Sequence, residues 1–556
     1  MYPDMYPTHH KLPRRYVTVN GSNVQSMAQL STPPEDGYIS QALHTFLKKS
    51  SLHCIHYLME PGRSRLEFWF WVIIHSVIVI MCSIIGISSW NKFTSNPLVT
   101  SLHDTHYPIE KVPFPAVSVC NNNRISKQAV FEFAQELAHV DPEKHDVEYF
   151  FEKLRLLGKL HDYDVDGRSD FLSFHAILEK LTFTNDSVAF DIMKIIKQLT
   201  PQCSQMLLKC MWLGHEEDCS HLFSFRRTQY GFCCTFNYVR KDSTEDPERK
   251  VYYTDNKAYD MGLLITLNAS LEDYYYPMFN LEGFVITIFG NDEYPDPSAG
   301  YVSEILISPG YENYLKVDAY STFAERNVAN YAVDTRGCLF DDEAEMKMDV
   351  AYSRADCVVN CRIKSVIRLC ECVPFFLPHA ESFGDGTHCR VCDLQDIPCL
   401  EKYKIKWATV VNQYSGITKY NMREAEESLH CPDCLPKCSD TKYKVITVSL
   451  PLQKQFKNSS GLLNGIDDVS SISTVKIYFG SAEAWVYRQD VALYWFQIFS
   501  FLGGIIGLMS GFSIISIFEG IWFLLGVLLH IVQSKIKALL SSKKSPTEPL
   551  VLKFQP

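Results

Sequence analysis

With 556 residues, 46% apolar and 21% charged, the chain is too apolar to be disordered, and a mean hydropathy of −0.08 is too low for a polytopic transporter. Nineteen cysteines are too many for a reducing compartment unless metal holds them, and the formal charge of −11 is unevenly spread. These bounds leave a mainly soluble chain with one or two membrane segments.

Residues 1–66 hold seven Lys or Arg against four Asp or Glu. From Phe68 to Ser89 the sequence FWFWVIIHSVIVIMCSIIGISS has no formally charged residue. At about 1.5 Å rise per residue such a run crosses a hydrocarbon core of about 30 Å. It is predicted as a transmembrane helix, bounded at 67–89. Some 66 mostly polar residues precede it, so it is not read as a cleavable signal sequence. His75 within it reads as a packed or interfacial side chain rather than a proton sensor.

Residues 90–490 follow, with short runs of β-branched and aromatic residues at Val117–Cys120, Cys234–Tyr238, Gly262–Leu267, Phe284–Phe289 and Val475–Phe479. These predict a β core. Helical spacing at Gln128–His139, Val147–Leu160, Phe174–Leu181 and Phe190–Leu199 predicts a helical insertion standing on it. A second helix is expected over Glu343–Leu369, with Cys357 and Cys361 on one face and directed at one neighbour. The late cysteines, Cys338 to Cys438, can pair as nested rungs down a hairpin of chain, although spacing leaves the connectivity open. Zinc is the alternative, on Cys389-x-x-Cys392 and Cys431-x-x-Cys434, and disulfides are the preferred reading on an oxidising side.

The second apolar run, Ile498–Phe518, reads IFSFLGGIIGLMSGFSIISIF, and apolar sequence resumes after Glu519 as far as Val532. It is assigned to a second membrane segment, 491–532, followed by a tail, 533–556, with five Lys or Arg against one acid. Gly503, Gly507 and Gly511 recur every fourth residue, a face that lets helix backbones approach closely. A helix interrupted at Gly511-Phe512-Ser513 frees carbonyls that can replace water around a small cation. Glu519, a carboxylate at membrane depth, costs about 2.5–3.5 kcal/mol unless it faces water or a partner. The residues alone leave open the plainer alternative, in which the glycines only pack helices and Glu519 sits at the inner interface.

The tails carry +3 and +4, so the segment between them carries −18 against the whole chain's −11. Basic flanks remain cytoplasmic, which puts both termini inside and the acidic middle, with seventeen of the nineteen cysteines, outside. The sequons at Asn185, Asn268 and Asn458 fall in that outer segment and are glycosylation candidates, whereas the Asn20 sequon is inside. Two spans cannot enclose an aqueous path, so transport implies several copies around an axis. There is no HExxH, no GxSxG and no phosphate-binding glycine loop, so an enzyme is not expected. Neither is a metal, a cofactor or a nucleic-acid partner.

Five motifs occur in order: Phe114-Pro-Ala-Val-Ser-Val-Cys-Asn121; Met206-Leu-Leu-Lys-Cys210 with Cys219; Tyr230-Gly-Phe-Cys-Cys-Thr-Phe-Asn237; the late cysteine series; and Gly503-Gly504 through Gly507, Gly511-Phe512-Ser513 and Glu519. Together they resemble the degenerin/epithelial sodium channel family, most closely its insect pickpocket branch. The resemblance covers nearly the whole chain. It implies a membrane α+β fold in which two transmembrane helices carry a disulfide-rich β-core extracellular domain. That domain would bear a helical finger at about 121–232 and a thumb at about 338–438.

The resemblance further implies a homo- or heterotrimeric, sodium-preferring, amiloride-blocked channel subunit of the plasma membrane, gated by ligand or force and sensory in role. Its partners would be sister subunits, the bilayer and an extracellular ligand or matrix, with sodium as permeant ion. Gly511, Phe512 and Ser513 would form the selectivity constriction, Ser500 the outer gate and Glu519 an inner carboxylate ring. The implied disulfides are Cys120–Cys233, Cys210–Cys219, Cys338–Cys438, Cys357–Cys434, Cys361–Cys431, Cys370–Cys399 and Cys372–Cys392. Cys203 and Cys234 then remain as an extra pair by elimination, and Cys389 is left over. The family's amino-terminal His-Gly gating motif appears here as His53-Cys54, which removes access to positive φ. That departure keeps a competing reading in play, a non-conducting receptor or auxiliary subunit that modifies partner channels.

Overall fold

The computed structural model describes residues 35–52, 55–59, 62, 64–165, 168–183, 191–240, 250–343, 352–378, 390–411, 428–453, 461–466 and 468–542. His53, Cys54, Asn185, Cys389 and Asn458 lie outside them. The chain divides into a unit made of Met1–Ser95 with Leu493–Pro556, and a second made of Asn96–Ala492.

In the first unit the leading apolar run forms a 31-residue helix, Arg65–Ser95. It exceeds the predicted 67–89 because no breaker occurs before Pro97, whose ring disfavours helical φ/ψ at Asn96. No residue of this helix is buried within the chain, and Ile73, Ile84 and Trp69 are all exposed. An apolar surface facing outward on every side is what a bilayer requires. The hydroxyls of Ser76 and Ser83 donate to carbonyls four residues back, each at 2.8 Å, so neither donor needs water. The second apolar run, expected as one segment, is two helices, Trp495–Ser510 and Ile514–Ser542. Among the described residues two helices are long and apolar enough to cross a membrane, Arg65–Ser95 and Ile514–Ile536.

Among the described residues the second unit is built on two large sheets, with a separate two-stranded parallel pair, Val410–Val411 with Leu429–His430. Its strands in chain order are β1 (Leu98–Pro108), β2 (Ala116–Asn121), β3 (Leu207–Trp212), β4 (His215–Glu217), β5 (Phe223–Thr228), β6 (Gly231–Phe236), β7 (Leu263–Asn268), β8 (Phe284–Phe289), β9 (Ser303–Ile307), β10 (Tyr311–Ala324), β11 (Val410–Val411), β12 (Leu429–His430), β13 (Asp440–Pro451), β14 (Ile472–Phe479) and β15 (Glu483–Val491). The larger sheet runs β1-β15-β10-β14-β7-β3-β4, with β13 on the free side of β10. β10 is its spine: it is antiparallel to β13 along Tyr311–Thr322 and parallel first to β14 and then to β15. The smaller sheet runs β5-β6-β2-β8-β9, all antiparallel. Val117, Phe236, Ile286, Leu315, Val317, Ile265 and Ile477 fill one core with side chains from both sheets.

Helices Lys127–Val140, Val147–Leu154, Arg168–Phe183 and Ile192–Leu199 lie between β2 and β3 in sequence. Their apolar faces, including Phe133, Phe150, Phe174 and Ile196, enter a second core that helix Arg354–Cys370 shares. Ser126, Asp146 and Asp191 cap three of them by accepting backbone N–H bonds. The helix expected over Val147–Leu160 stops at Leu154 and gives way to a 3-10 turn, Arg155–Gly158. Gly158 is pressed so close to the Tyr276 ring that a Cβ there would lie 2.4 Å from it. Of the helix expected over Glu343–Leu369, residues 344–351 lie outside the described residues; the described helix runs Arg354–Cys370, and the Ser353 Oγ at its start accepts from the Asp356 N–H at 2.9 Å. The strand expected over Cys234–Tyr238 ends at Phe236, because Asn237 turns to φ 54°.

Among the described residues eight disulfides join Cys120–Cys233, Cys203–Cys234, Cys210–Cys219, Cys338–Cys438, Cys357–Cys434, Cys361–Cys431, Cys370–Cys399 and Cys372–Cys392. Successive strand residues face opposite ways, so on β6 Cys233 bonds to β2 while Cys234 reaches Cys203 on the other face. Cys357 and Cys361 point at one stretch of chain, 431–434, and bond to its two ends. Cys392, Cys431 and Cys434, which carried the zinc alternative, are all disulfide-bonded and offer no thiolate.

A carboxyl in this unit sets a pH dependence. Burial, then Asp440 and Asp292, push Glu293 up from 4.5 to about 8, against the opposing pull of Lys437. A group whose pKa rises on folding contributes stability that is present below its unfolded pKa and disappears as pH climbs to the folded value. The unfolding midpoint is therefore expected to fall from pH 4.5 to about 8. Glu293→Gln should flatten that slope, as calorimetry across the range will show. An unchanged slope would remove Glu293 as its cause.

Candidate functional site

The site sits at the interruption of the second apolar segment. The helix Trp495–Ser510 closes on Gly511, which takes φ 67°, a left-handed conformation open to glycine at little cost. The Gly511 N–H donates to the Gly507 carbonyl at 2.9 Å. Phe512 turns its carbonyl back over Gly507, where an added Cβ would lie 3.5 Å from that oxygen. Ser513 then starts the next helix: its carbonyl accepts from Ile517 at 3.3 Å, and its Oγ accepts from the Ser516 N–H at 3.4 Å. Any helix end leaves last-turn carbonyls without intrahelical donors. Here that end lies inside an apolar segment, where only a cation, water or another polar group can satisfy them.

One turn further on, Glu519 is held from a distant part of the sequence. Its carboxylate accepts from the Ser51 N–H at 3.1 Å and from the Ser51 Oγ at 3.0 Å. Ser51 Oγ also lies 2.9 Å from the Ser516 Oγ, which is in turn 3.4 Å from the Ser513 Oγ. Three hydroxyls and one carboxylate thus connect the amino-terminal segment to the helix break. Phe46 stacks on Phe523 with centroids 4.6 Å apart, pinning helix Glu35–Lys49 against Ile514–Ser542. The two helices border a cavity of about 610 Å³ lined by Gln41, Lys49, Ser50, Glu519 and Trp522, among others.

Gly511, Phe512, Ser513, Gly507 and Glu519 are thereby brought to one stretch of the molecule. Gly503 and Gly504 lie on the preceding helix with open space where a Cβ would stand, and Ser500 is exposed on that same helix. Asn268 ends β7, where its Oδ1 accepts from the Ser270 N–H at 3.0 Å. His75 Nδ1 donates to the Trp71 carbonyl, 2.8 Å away, within its own helix. Ser51 and Ser516 were not singled out from the sequence. Ser516 did carry a signal, the cap spacing Ser513-x-x-Ser516. Ser51 carried none, because its partner is 468 residues away.

These features define a membrane protein with two apolar spans, a β-rich domain crosslinked by eight disulfides, and a broken second span backed by a carboxylate. The family described as Amiloride-sensitive sodium channel matches residues 46–523, and the chain belongs to it. Curated relatives agree. The chain is 23% identical to Sodium channel protein Nach of Drosophila ananassae, over 89% of this chain and 88% of that protein. It is 26% identical to Pickpocket protein 28 of Drosophila melanogaster, over 86% and 78%. It is 24% identical to the Bile acid-sensitive ion channel of Mus musculus, over 88% and 90%. The family and these relatives are ion channels, not enzymes.

Proposed function

We propose that this chain is a pore-forming subunit of a sodium-selective, amiloride-sensitive cation channel of the plasma membrane. On this reading it assembles as a homo- or heterotrimer, is gated by ligand or force, and serves a sensory role. The observation that carries the reading is the interruption at Gly511–Ser513, capped from both sides inside an apolar segment. Gly511, Phe512 and Ser513 form the selectivity constriction around the axis, Ser500 the outer gate, and Glu519 the inner carboxylate ring. The tails 1–66 and 533–556 are cytoplasmic, 67–89 and 491–532 span the membrane, and 90–490 is extracellular, with a helical finger at about 121–232 and a thumb at about 338–438. The charge asymmetry of the tails supports that topology. Asn185, Asn268 and Asn458 then carry glycans.

Expression in oocytes with voltage clamp tests the reading. A reversal potential that follows sodium rather than potassium is expected, with Ser513→Cys shifting it and becoming reachable by thiol reagents from outside. A current indifferent to the Ser513 substitution would remove the filter assignment. Glu519→Gln is expected to cut the sodium current severalfold per surface subunit. It removes the inner charge and weakens two hydrogen bonds from Ser51, charged bonds being worth about 1.5–3 kcal/mol each. The auxiliary reading rests on His53-Cys54 in place of His-Gly, and it predicts no current from this chain alone but a modified current with a sister subunit.

A further inference from the structure

Arg124 stands where the chain leaves β2 for helix Lys127–Val140, and it is 3% exposed. Its side chain makes no hydrogen bond or ion pair among the described residues, and its Nη2 is shut off from solvent with no acceptor. The other four buried arginines all have acceptors. Arg240 is bound to Asp356 and Arg362 to Asp296, Arg336 meets Glu343, and Arg226 reaches the carbonyls of Tyr238 and Arg240. Around Arg124 the neighbours are aromatic. Its guanidinium carbon lies 5.2 Å from the centroid of the Tyr230 ring. The nearby phenols are committed elsewhere: Tyr230 donates to Glu304, Tyr276 to Asp162 and Tyr274 to the Gly283 carbonyl.

Two further buried polar atoms lack a partner, and the one on His161 lies within reach of the Arg124 charge. His161 Nε2 and Gln229 Oε1 are both buried without a partner. The His161 ring packs edge-on against Phe375 at 4.9 Å, and a Cβ on Gly231 would come within 2.9 Å of it. Burial, with the nearby charge of Arg124, pulls His161 down to about 3, so the ring is neutral and one of its nitrogens is an N–H donor. Burial lowers Arg124 only to about 10, with the Tyr230 and Tyr274 phenols opposing the drop, so it remains a cation at neutral pH. Water can satisfy a buried donor, but it cannot neutralise a buried charge, and the Tyr230 ring offsets only part of that cost. Among the described residues no carboxylate pairs with it.

We propose that Arg124, with His161 near it, forms a binding site for a small monovalent inorganic anion such as chloride. The guanidinium supplies charge and N–H donors, and His161 adds a neutral donor. The site is independent of conduction.

The test uses the full-length protein in lipid nanodiscs, unfolded thermally in sodium chloride, bromide or methanesulfonate at equal ionic strength. Chloride and bromide should raise the midpoint saturably, with methanesulfonate ineffective. His161→Phe keeps the ring against Phe375 and removes the donor, and it should weaken halide affinity about tenfold. Arg124→Gln should abolish the halide effect. Should that variant fail to fold, the wild-type salt series and a bromide anomalous map decide the matter, with a peak expected beside the guanidinium. Equal midpoints in the three salts, a halide effect untouched by His161→Phe, or no bromide at Arg124 overturns the proposal.

Discussion

Replacing Arg240 with methionine is expected to destabilise the β-rich unit by about 3–5 kcal/mol, enough to keep most of the protein from reaching the cell surface. Arg240 Nε is 2.8 Å from Asp356 Oδ1, and the two side chains are 1% and 0% exposed. Asp356 also accepts from the Ser353 Oγ at 2.6 Å, at the start of the helix that carries Cys357 and Cys361. Methionine fills much of the space but leaves a carboxylate in the interior with one hydroxyl donor. A buried pair replaced on both sides by apolar groups is often neutral, so Arg240→Met combined with Asp356→Leu should recover most of the loss. Chemical unfolding of both variants checks this. If the double variant is no better than the single one, the loss comes from packing around Tyr294, whose ring centroid is 5.9 Å from the guanidinium carbon, rather than from the stranded charge.

The membrane unit was the more legible part of the fold, because a charge-free run of apolar residues has few structural outcomes. In the β-rich unit the amphipathic helices were legible from their spacing, but its strands only where they are buried on both faces. β8, Phe284–Phe289, reads as an unbroken apolar run and is buried throughout, and its limits agree with the predicted ones. β10 is 14 residues long and organises the larger sheet, yet it was not predicted. It alternates buried Leu315, Val317 and Ala319 with Lys316, Asp318 and Tyr320, a weak signal in any short window. β13 is harder still, because most of its residues are exposed or half-buried. Cysteine order could be read along the chain, but connectivity is a three-dimensional property that spacing does not carry. Arg124 illustrates the same limit, since an arginine in Asn-Asn-Arg-Ile reads as a surface charge until its burial is known.

Substitutions at Gly511 should order sodium currents as Gly, then Asn, then Ala, then Val. At φ 67° every residue with a Cβ is strained; Asn tolerates the left-handed region best, Ala pays about 1–2 kcal/mol, and a β-branched residue pays more. The competing structure is one continuous helix through 511–513, which alanine also favours by helix propensity. A cost of that size shifts the balance between interrupted and continuous helix roughly five- to thirtyfold. Continuing the helix draws the last-turn carbonyls into ordinary hydrogen bonds and swings Ser513 off its cap on Ser516. Gly526→Ala is the control, since nothing lies within 4 Å of its Cβ position and its φ is not in the left-handed region. Current per surface subunit and the sodium-to-potassium reversal shift are the measurements. Should Val and Asn behave alike, backbone conformation at Gly511 does not govern permeation, and the constriction must be sought elsewhere along the second span.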